Sequence, residues 1–464
     1  MSKLTAIILA AGKGTRMKST RPKVLHKLCG RPLISYIVDA ALAAGADDIV
    51  LVINSDMTAV RDLFPDTVRY AYQEEQLGTG HALLAAEEVV QAKTGEILVL
   101  CGDTPLLSSD LLEQLVAAHR LKQATATVLT AQLADPYGYG RIVRSPAGTI
   151  ERIVEERDAT MAEKAITEIN SGSYCFAAST IFSYLKKLGR HNVQGEYYLT
   201  DVLPLMQADA KLVQPYLASD PDLIKGINTR IHLAEAEAWL RAKIREEHML
   251  AGVTIMDPAS TFIDAGVCIG PDTVIYPFTV LEGRTSIGSG CTIGPSVQIK
   301  DSIIKDKARV HHAVVCQAEI GEKADVGPYT HLRPGTVLAA RARAGTFVEI
   351  KKSHIGPDSK VPHMAYVGDA KLGCRTNIGA GTITCNYDGE QKQVTVVEDD
   401  AFVGSNTNLV APVRIGRGAY IGAGSTISKD VPPGALAIER AQQKNIEGWV
   451  EKRKRNALLR KKKE

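Results

Sequence analysis

The stretch Leu9-Ala10-Ala11-Gly12-Lys13-Gly14-Thr15-Arg16-Met17, followed by Pro22-Lys23, is the first in the chain with the makings of a phosphate site. Glycines at a strand-to-helix turn let backbone N–H groups approach phosphate oxygens, and Arg16 and Lys23 add fixed positive charge. Glycine also serves tight connections that bind nothing, and this turn fits neither the Walker pattern nor the dinucleotide fingerprint. Further on, Gln73-Glu74-Glu75-Gln76-Leu77-Gly78-Thr79-Gly80-His81 offers an amide and two backbone stretches of the kind that read a base edge, or simply a loop and a helix start. Cys101-Gly102-Asp103 follows an apolar run, so Asp103 is expected at a strand end facing the same cleft. A carboxylate there suits Mg²⁺, which takes one or two protein oxygens and completes its shell with phosphate and water. The other reading of Asp103 is a cap for the helix after Pro105.

A second group lies far along the chain. Arg333, Lys351, Lys352, His363, Tyr366, Asn377 and Lys392 surround a polar stretch, Thr384 to Gln393, that interrupts a regular repeat. Cations suit a sugar phosphate, hydroxyl and amide groups suit a sugar, and an imidazole is a base near neutral pH. Long excursions from a repeat are where function usually sits. Taken singly, each residue reads as a solvated side chain on the outside of a coil.

The first group needs a sheet to hold it. A buried strand, Leu4 to Leu9, is followed by apolar runs at Ile49 to Ile53, Glu96 to Leu100 and Thr125 to Leu129. These alternate with helical patterns at Leu33 to Ala44, Ala82 to Val90 and Asp110 to Leu121. Such alternation predicts an α/β unit, a mostly parallel sheet with helices on both faces, whose ligands lie beyond the carboxyl ends of the strands. After Asn228-Thr229 the pattern from Ile231 to Met249, with Gly252 beyond, predicts a helix capped at both ends, a rigid connector that keeps two halves apart.

The second group needs a different scaffold. Ile263, Ile269, Ile275, Leu281, Ile287, Ile293 and Ile299 fall six residues apart, and the ladder returns at Ile320, Val326, Leu332 and Leu338. It returns again at Val403, Leu409, Ile415, Ile421 and Ile427. Neither a helix nor a flat strand has that period; a parallel β-helix of hexapeptide repeats does. A β-sandwich would alternate with period two. Coils of this kind are capped or pair with copies of themselves.

At 464 residues the chain exceeds one hydrophobic core, and the readings above divide it into residues 1–228, a connector 229–250 and residues 251–464. A net charge of +3 with both signs interspersed gives no reason to expect a nucleic-acid or membrane partner. The exception is Lys452 to Lys463, eight of whose twelve residues are Lys or Arg, read as a solvated, disordered tail rather than a binding arm. The eight cysteines are scattered without a CxxC pair, which predicts free thiols in a reducing, cytoplasmic compartment. The apolar start, Leu4 to Ala11, is too short for a membrane span and lacks the features of a cleaved leader.

The turn from Leu9 to Met17 with Pro22-Lys23 resembles the signature of sugar-phosphate nucleotidylyltransferases. Tyr139-Gly140-Arg141, Ile153-Val154-Glu155, Ile169-Asn170-Ser171-Gly172 and Gly195 to Asp201 continue in the order and spacing of one branch. That branch is the family of bacterial bifunctional N-acetylglucosamine-1-phosphate uridylyltransferases and glucosamine-1-phosphate acetyltransferases, and the resemblance covers Leu4 to about Arg440. It implies that Leu9, Ala10, Ala11, Gly12, Gln73, Gly78 and Thr79 hold the uridine nucleotide, with Cys101 and Gly102 beside it. Gly140, Glu155 and Asn170 would hold the acetylated sugar, Asp103 and Asn228 would bind Mg²⁺, and Arg16 and Lys23 would neutralise charge in the transfer. Cys101 departs from the family, which commonly has an aromatic residue there.

In the C-terminal half the resemblance implies a left-handed parallel β-helix that forms homotrimers. Arg333, Lys351, Tyr366, Asn377 and Lys392 would bind glucosamine 1-phosphate. Ala380, Asn386, Tyr387, Ser405, Ala423 and Arg440 would line the acetyl-CoA groove, and His363 would be the general base. The implied substrates are UTP, acetyl-CoA and glucosamine 1-phosphate. Two competing readings stand beside this one: a single-activity nucleotidylyltransferase whose coil is only a scaffold, and a zinc site built on His311, His312 and His331.

Overall fold

The computed structural model describes residues 3–90, 94–146 and 148–461. The chain divides into two compact units, residues 1–244 and 245–464.

In the first unit the main sheet runs, edge to edge, Val213–Leu217, Ala126–Gln132, Glu168–Ala177, Glu96–Cys101, Leu4–Leu9, Asp48–Ile53 and Arg69–Tyr72. Leu4–Leu9 pairs in parallel with Asp48–Ile53 on one side and Glu96–Cys101 on the other. The strands are apolar on both faces because both faces are covered. Ala6 and Ile8 pack with Ile34, Ile37, Leu111 and Leu115 on one side. Ile7, Val50 and Val99 pack with Leu83, Ile181 and Leu203 on the other.

Two features escape the periodicity. Glu168–Ala177 lies antiparallel between Glu96–Cys101 and Ala126–Gln132, and its register shifts between Asn170 and Tyr174. The helix expected over Ala82 to Val90 is Thr79–Leu84 instead, with Gly78 at its N-cap.

The helix after Thr229 spans Arg230–Leu250, and Thr229 Oγ1 accepts from the His232 N–H at 3.2 Å. Ala236 is buried with Leu28, Leu33, Leu106 and Ile227, and Leu233, Trp239 and Leu240 pack against them. The first turns of this helix therefore complete the core of the first unit and are not a free-standing connector. The pattern that announced the helix did not reveal this, because an amphipathic stripe does not say what it packs on.

The second unit is a left-handed parallel β-helix of three sheets with eleven, ten and nine strands. Each short strand pairs in parallel with the one a full turn later: Ile263 with Leu281, and Leu281 with Ile299. The same holds for Ile269 with Ile287 and for Ile287 with Ile304. The aliphatic ladder does not stop where the six-residue spacing fades. It continues through Ile304, Val310 and Val315, and through Ala344, Ile350, Ile355, Val361, Val367, Leu372 and Ile378, all buried. Some faces hold five residues instead of six, as from Ile299 to Ile304 and from Ile350 to Ile355, and each shifts the phase of the pattern.

The basic run lies in a helix, Trp449–Lys461, whose residues 449–460 are exposed, as expected of a solvated run, but it is helical and not the disordered tail expected. It is rich in Lys and Arg, includes Ala457, Leu458 and Leu459, and lacks Gly and Pro, so its propensity favours helix. Lys462 and Lys463 lie outside the described residues. Among the described residues no helix is long and apolar enough to cross a membrane.

Candidate active sites

In the first unit four of the singled-out side chains meet at the carboxyl ends of Leu4–Leu9 and Glu96–Cys101. Lys23 Nζ pairs with Asp103 Oδ2 and donates to Asn228 Oδ1 at 3.1 Å. Arg16 Nη2 donates to the same Asn228 oxygen at 2.8 Å. Asp103 does not cap the following helix; Ser108 does, accepting from the Leu111 N–H. The carboxylate and the amide carbonyl are hard oxygen donors turned toward one cationic position, a set that fits Mg²⁺. The lysine stem lies against the turn: a Cβ on Gly14 (φ +61°) would stand 2.7 Å from Lys23 Cβ.

Backbone contacts tie the turn to its neighbours. Ala10 N–H donates to Val52 O at 2.8 Å, Gly102 N–H to Leu9 O at 2.9 Å, and Gln76 Nε2 to Ala11 O at 2.6 Å. Ala11 is buried, whereas Gly12 is open, with nothing within 4 Å of where its Cβ would be. Gln73 is buried and uses its amide nitrogen on Gly78 O at 3.1 Å, so it holds its own loop. Gly78 has φ +112°, and a Cβ there would sit 2.6 Å from Tyr197 O. Thr79 Oγ1 accepts from the Leu199 N–H at 3.0 Å.

Beside this lies a cavity of about 180 Å³ lined by Leu9, Thr79, Cys101, Gly140, Glu155, Asn170, Tyr174, Leu199 and Thr200 among others. Asn170 Nδ2 donates to the Tyr174 hydroxyl at 2.7 Å, and Asn170 Oδ1 accepts from the Gly172 N–H at 3.1 Å, so the register shift in this strand turns the amide into the cavity wall. Burial, then the charges of Asp158, Asp201 and Glu196, push the Glu155 carboxyl up to about 7, against the pull of Arg141. Burial and Asp103 push the Cys101 thiol up to about 12, so it stands protonated as a wall and not as a nucleophile.

In the second unit, register does the gathering. Lys351 stacks on Gly368, Glu349 on Tyr366, Thr346 on His363 and Lys360 on Asn377. Lys351 Nζ lies 3.7 Å from Asp369 Oδ2, which also accepts from Asn386 Nδ2 at 2.5 Å. Gly368 allows this closure: a Cβ there would be 2.5 Å from the Tyr366 hydroxyl and 2.8 Å from Asn386 Nδ2. Hydrogen bonding and repulsion from Lys351 lower the pKa of Lys392, as for two ammonium groups held side by side. Arg333 pairs with Glu349 at 2.8 Å.

The excursion is a small hairpin closed by a bridge between Tyr387 and Lys392, and Tyr387 is exposed. Ala380, Ser405 and Ala423 occupy one corner in successive turns: Asn406 N–H donates to Ala380 O at 2.7 Å and Gly424 N–H to Ser405 O at 2.8 Å. Arg440 Nη1 donates to Ala423 O at 2.8 Å. His363 is exposed, and its imidazole has no hydrogen-bond partner among the described residues. His311 and His312 lie ring to ring at 6.1 Å, and among the described residues no three or more His, Cys, Asp or Glu side chains gather as a metal site.

Residues 6–196 match the MobA-like NTP transferase domain, 258–366 the GMPPB C-terminal domain, and 395–429 the bacterial transferase hexapeptide (six repeats). The chain is similar to the bifunctional protein GlmU of Halalkalibacterium halodurans, 50% identical over 98% of this chain and 100% of that protein. It is 52% identical to GlmU of Syntrophomonas wolfei, over 96% of this chain and 99% of the relative. It is also 52% identical to GlmU of Heliobacterium modesticaldum, over 97% and 98%. The chain belongs to the GlmU family. It is a bifunctional transferase, a uridylyltransferase and an acetyltransferase, that makes UDP-N-acetylglucosamine. Nucleotidyl transfer in the GlmU family uses a divalent metal.

Sequence reasoning missed Asp369 and Tyr174, which hold Lys351 and Asn170 in place. Asp369 had a signal: it follows Lys351 by about one turn of the coil, next to Gly368, which stacks on Lys351, and its N–H donates to Lys351 O at 3.0 Å. Tyr174 had none, because its role depends on the bulge.

Proposed function

We propose that the first unit carries uridylyl transfer and the coil carries acetyl transfer, acetylation coming first. The observation that carries the first half is the convergence of Arg16, Lys23, Asp103 and Asn228 beside the cavity walled by Gly140, Glu155 and Asn170. The acetylated sugar phosphate would lie in that cavity, and the uridine nucleotide over Leu9–Gly12, Gln73, Gly78 and Thr79, with Cys101 and Gly102 lining the floor. A sugar-phosphate oxygen attacks the α-phosphorus of UTP and pyrophosphate leaves. Mg²⁺, held by Asp103 and Asn228, would supply charge neutralisation between the phosphates. The chain's own part is positioning: Arg16, Lys23 and the loop N–H groups meet charge as it develops.

In the coil, Lys351, Lys392 and Arg333 hold the phosphate of glucosamine 1-phosphate, and Tyr366 and Asn377 its sugar. Acetyl-CoA lies along Ala380, Ser405 and Ala423, with Asn386, Tyr387 and Arg440 at its edges. His363 takes the proton from the attacking amine.

A homotrimer in the cytoplasm completes the reading. Phe278, Tyr329, Phe347 and Met364 are exposed apolar residues at one corner of the coil. Tyr329 and Phe347 stack at 5.2 Å and His312 joins them at 5.7 Å. His363 precedes Met364, so a neighbouring coil seated on this column would abut His363 and close its site.

The experiment is an assay of pure protein with glucosamine 1-phosphate, acetyl-CoA and UTP, following free thiol and pyrophosphate separately. Asp103→Ala should remove pyrophosphate release and spare thiol release. A full yield of pyrophosphate from this variant refutes the division.

A further inference from the structure

Lys23 stands where a cation held by Asp103 and Asn228 would stand. Its Nζ pairs with Asp103 Oδ2 and lies 3.1 Å from Asn228 Oδ1, and Arg16 reaches that second oxygen at 2.8 Å. The backbone brings the two oxygens together without help from the lysine. Ile227 N–H donates to Asp103 O at 2.8 Å, and Gly226 N–H donates to the Tyr139 hydroxyl at 3.3 Å, which fixes the loop that leads into Asn228. A Cβ on Gly226 would lie 3.9 Å from Asp103 Oδ2 and 3.7 Å from Asn228 Nδ2. The pair is thus pre-formed, half-buried, and already in contact with a cation of the chain itself.

An ammonium in contact with both oxygens and a metal at the roughly 2 Å of an inner-shell bond cannot occupy one position. We propose that Lys23 is a resident counter-cation that must leave Asp103 and Asn228 before a divalent metal binds there, moving to the phosphates of the incoming nucleotide. The charges then exchange one for one: the lysine passes from carboxylate to phosphate, and the carboxylate takes the metal. Metal consequently enters with the nucleotide and not ahead of it. This rests on the reading of Asp103 and Asn228 as metal ligands.

The test uses Mn²⁺ and the full-length protein, with bound metal measured by the loss of the free-ion electron paramagnetic resonance signal, first alone and then with UTP and no sugar phosphate. The unmodified protein should bind Mn²⁺ weakly alone and much more tightly with UTP. Lys23→Met keeps the stem packed on Gly14 and removes the charge. It should bind Mn²⁺ alone on the order of tenfold more tightly, and gain less from UTP. Lys23→Arg, which keeps charge and reach, should stay weak. Lys13→Met, on an exposed residue of the same turn, should change binding by less than about twofold, well below the coupling expected of direct competition. Unchanged melting and unchanged acetyl transfer check that Lys23→Met folds. Equal or weaker Mn²⁺ binding by Lys23→Met overturns the exchange, as does equal tightening by Lys13→Met, which would mark simple repulsion. If Asp103→Ala leaves Mn²⁺ binding untouched, it is the metal-ligand reading that fails.

Discussion

Replacing Glu155 with glutamine should leave the first unit no less stable at pH 4.5 and clearly more stable at pH 8. Glu155 is pushed from 4.5 up to about 7 by burial in the cavity wall and by the carboxylates of Asp158, Asp201 and Glu196. A carboxyl whose folded value lies above its unfolded value holds its proton more tightly when folded. Stability therefore falls as pH rises from about 4.5 to about 7, and the whole penalty is present above that window. The gap is worth about 3 kcal/mol, an upper figure because the wall can relax around the charge. Glutamine has the same shape and no charge to bury, so the penalty disappears with it. Trp239 packs on the core of the first unit, while Trp449 is exposed on the C-terminal helix. Unfolding in urea followed by Trp239 fluorescence, with Trp449 replaced by phenylalanine, reads the first unit alone. A gain of about 1–3 kcal/mol at pH 8 that vanishes near pH 4.5 is expected. A difference of the same size at both values, or a loss at pH 8, would refute the electrostatic account. The same substitution should raise KM for N-acetylglucosamine 1-phosphate, since a stabilising change inside a binding cavity commonly costs function.

His363→Ala should slow acetyl transfer by about two to four orders of magnitude with little change in KM for glucosamine 1-phosphate, and the residual rate should rise with pH as free amine accumulates; thiol release measured between pH 6 and 9 checks this. Gly404→Val should weaken the coil by about 1–3 kcal/mol and raise KM for acetyl-CoA, because even a Cβ at Gly404 would lie 2.6 Å from Ala423 N in the next turn; melting and thiol release read the two effects. A fragment of residues 1–228 should be less stable in urea than one of residues 1–250, since Leu233, Ala236, Trp239 and Leu240 would be missing from their core; equal midpoints would show that the helix adds nothing. Light scattering at micromolar concentration should give the mass of three chains, and a single-chain mass would leave the column of Phe278, Tyr329 and Phe347 in water.

The coil was legible because a side chain inside a three-sided tube recurs at a fixed interval, and Ile263 to Ile299 keep that interval without a break. It became illegible where a side of the tube is one residue shorter, as at Ile304 and Ile355. The interior still receives its aliphatic residue there, but the count from the last one is wrong. The first unit was legible in Leu4–Leu9, Asp48–Ile53, Glu96–Cys101 and Ala126–Gln132, whose two-sided burial makes each a mostly apolar run, and not in the edge strands Arg69–Tyr72 and Val213–Leu217, which are more polar. Glu168–Ala177 breaks the apolar pattern with Asn170, Ser171, Gly172 and Ser173, and its antiparallel direction follows from how its ends connect, which no local pattern records. The helix from Arg230 was legible as a helix, and its packing on Leu28 and Leu33 was not, because its apolar face would suit any partner.

The two sites differ in how much of them a sequence can hold. Around Asp103 the residue types state the chemistry, and the strand ends state the place, so Arg16, Lys23 and Asp103 could be singled out before any geometry was known, whereas Asn228 came only through the family resemblance. What no spacing could say is that Lys23 would rest on both oxygens, since that depends on Gly14 admitting the lysine stem and on Ile227 N–H fixing the loop to Asp103 O at 2.8 Å. In the coil the reverse holds. A turn of about one and a half dozen residues stacks Lys351 on Gly368 and Thr346 on His363, so position along the chain converts directly into position on a face. An ion pair and a hydrogen bond within one chain then account for Lys351, Asp369 and Asn386. His363 remains on an exposed corner beside an apolar column, and a base in that position acquires its substrate only when something covers it. The residue was legible from its type; on the homotrimer proposed above, the wall that completes its site would come from another copy of the same sequence.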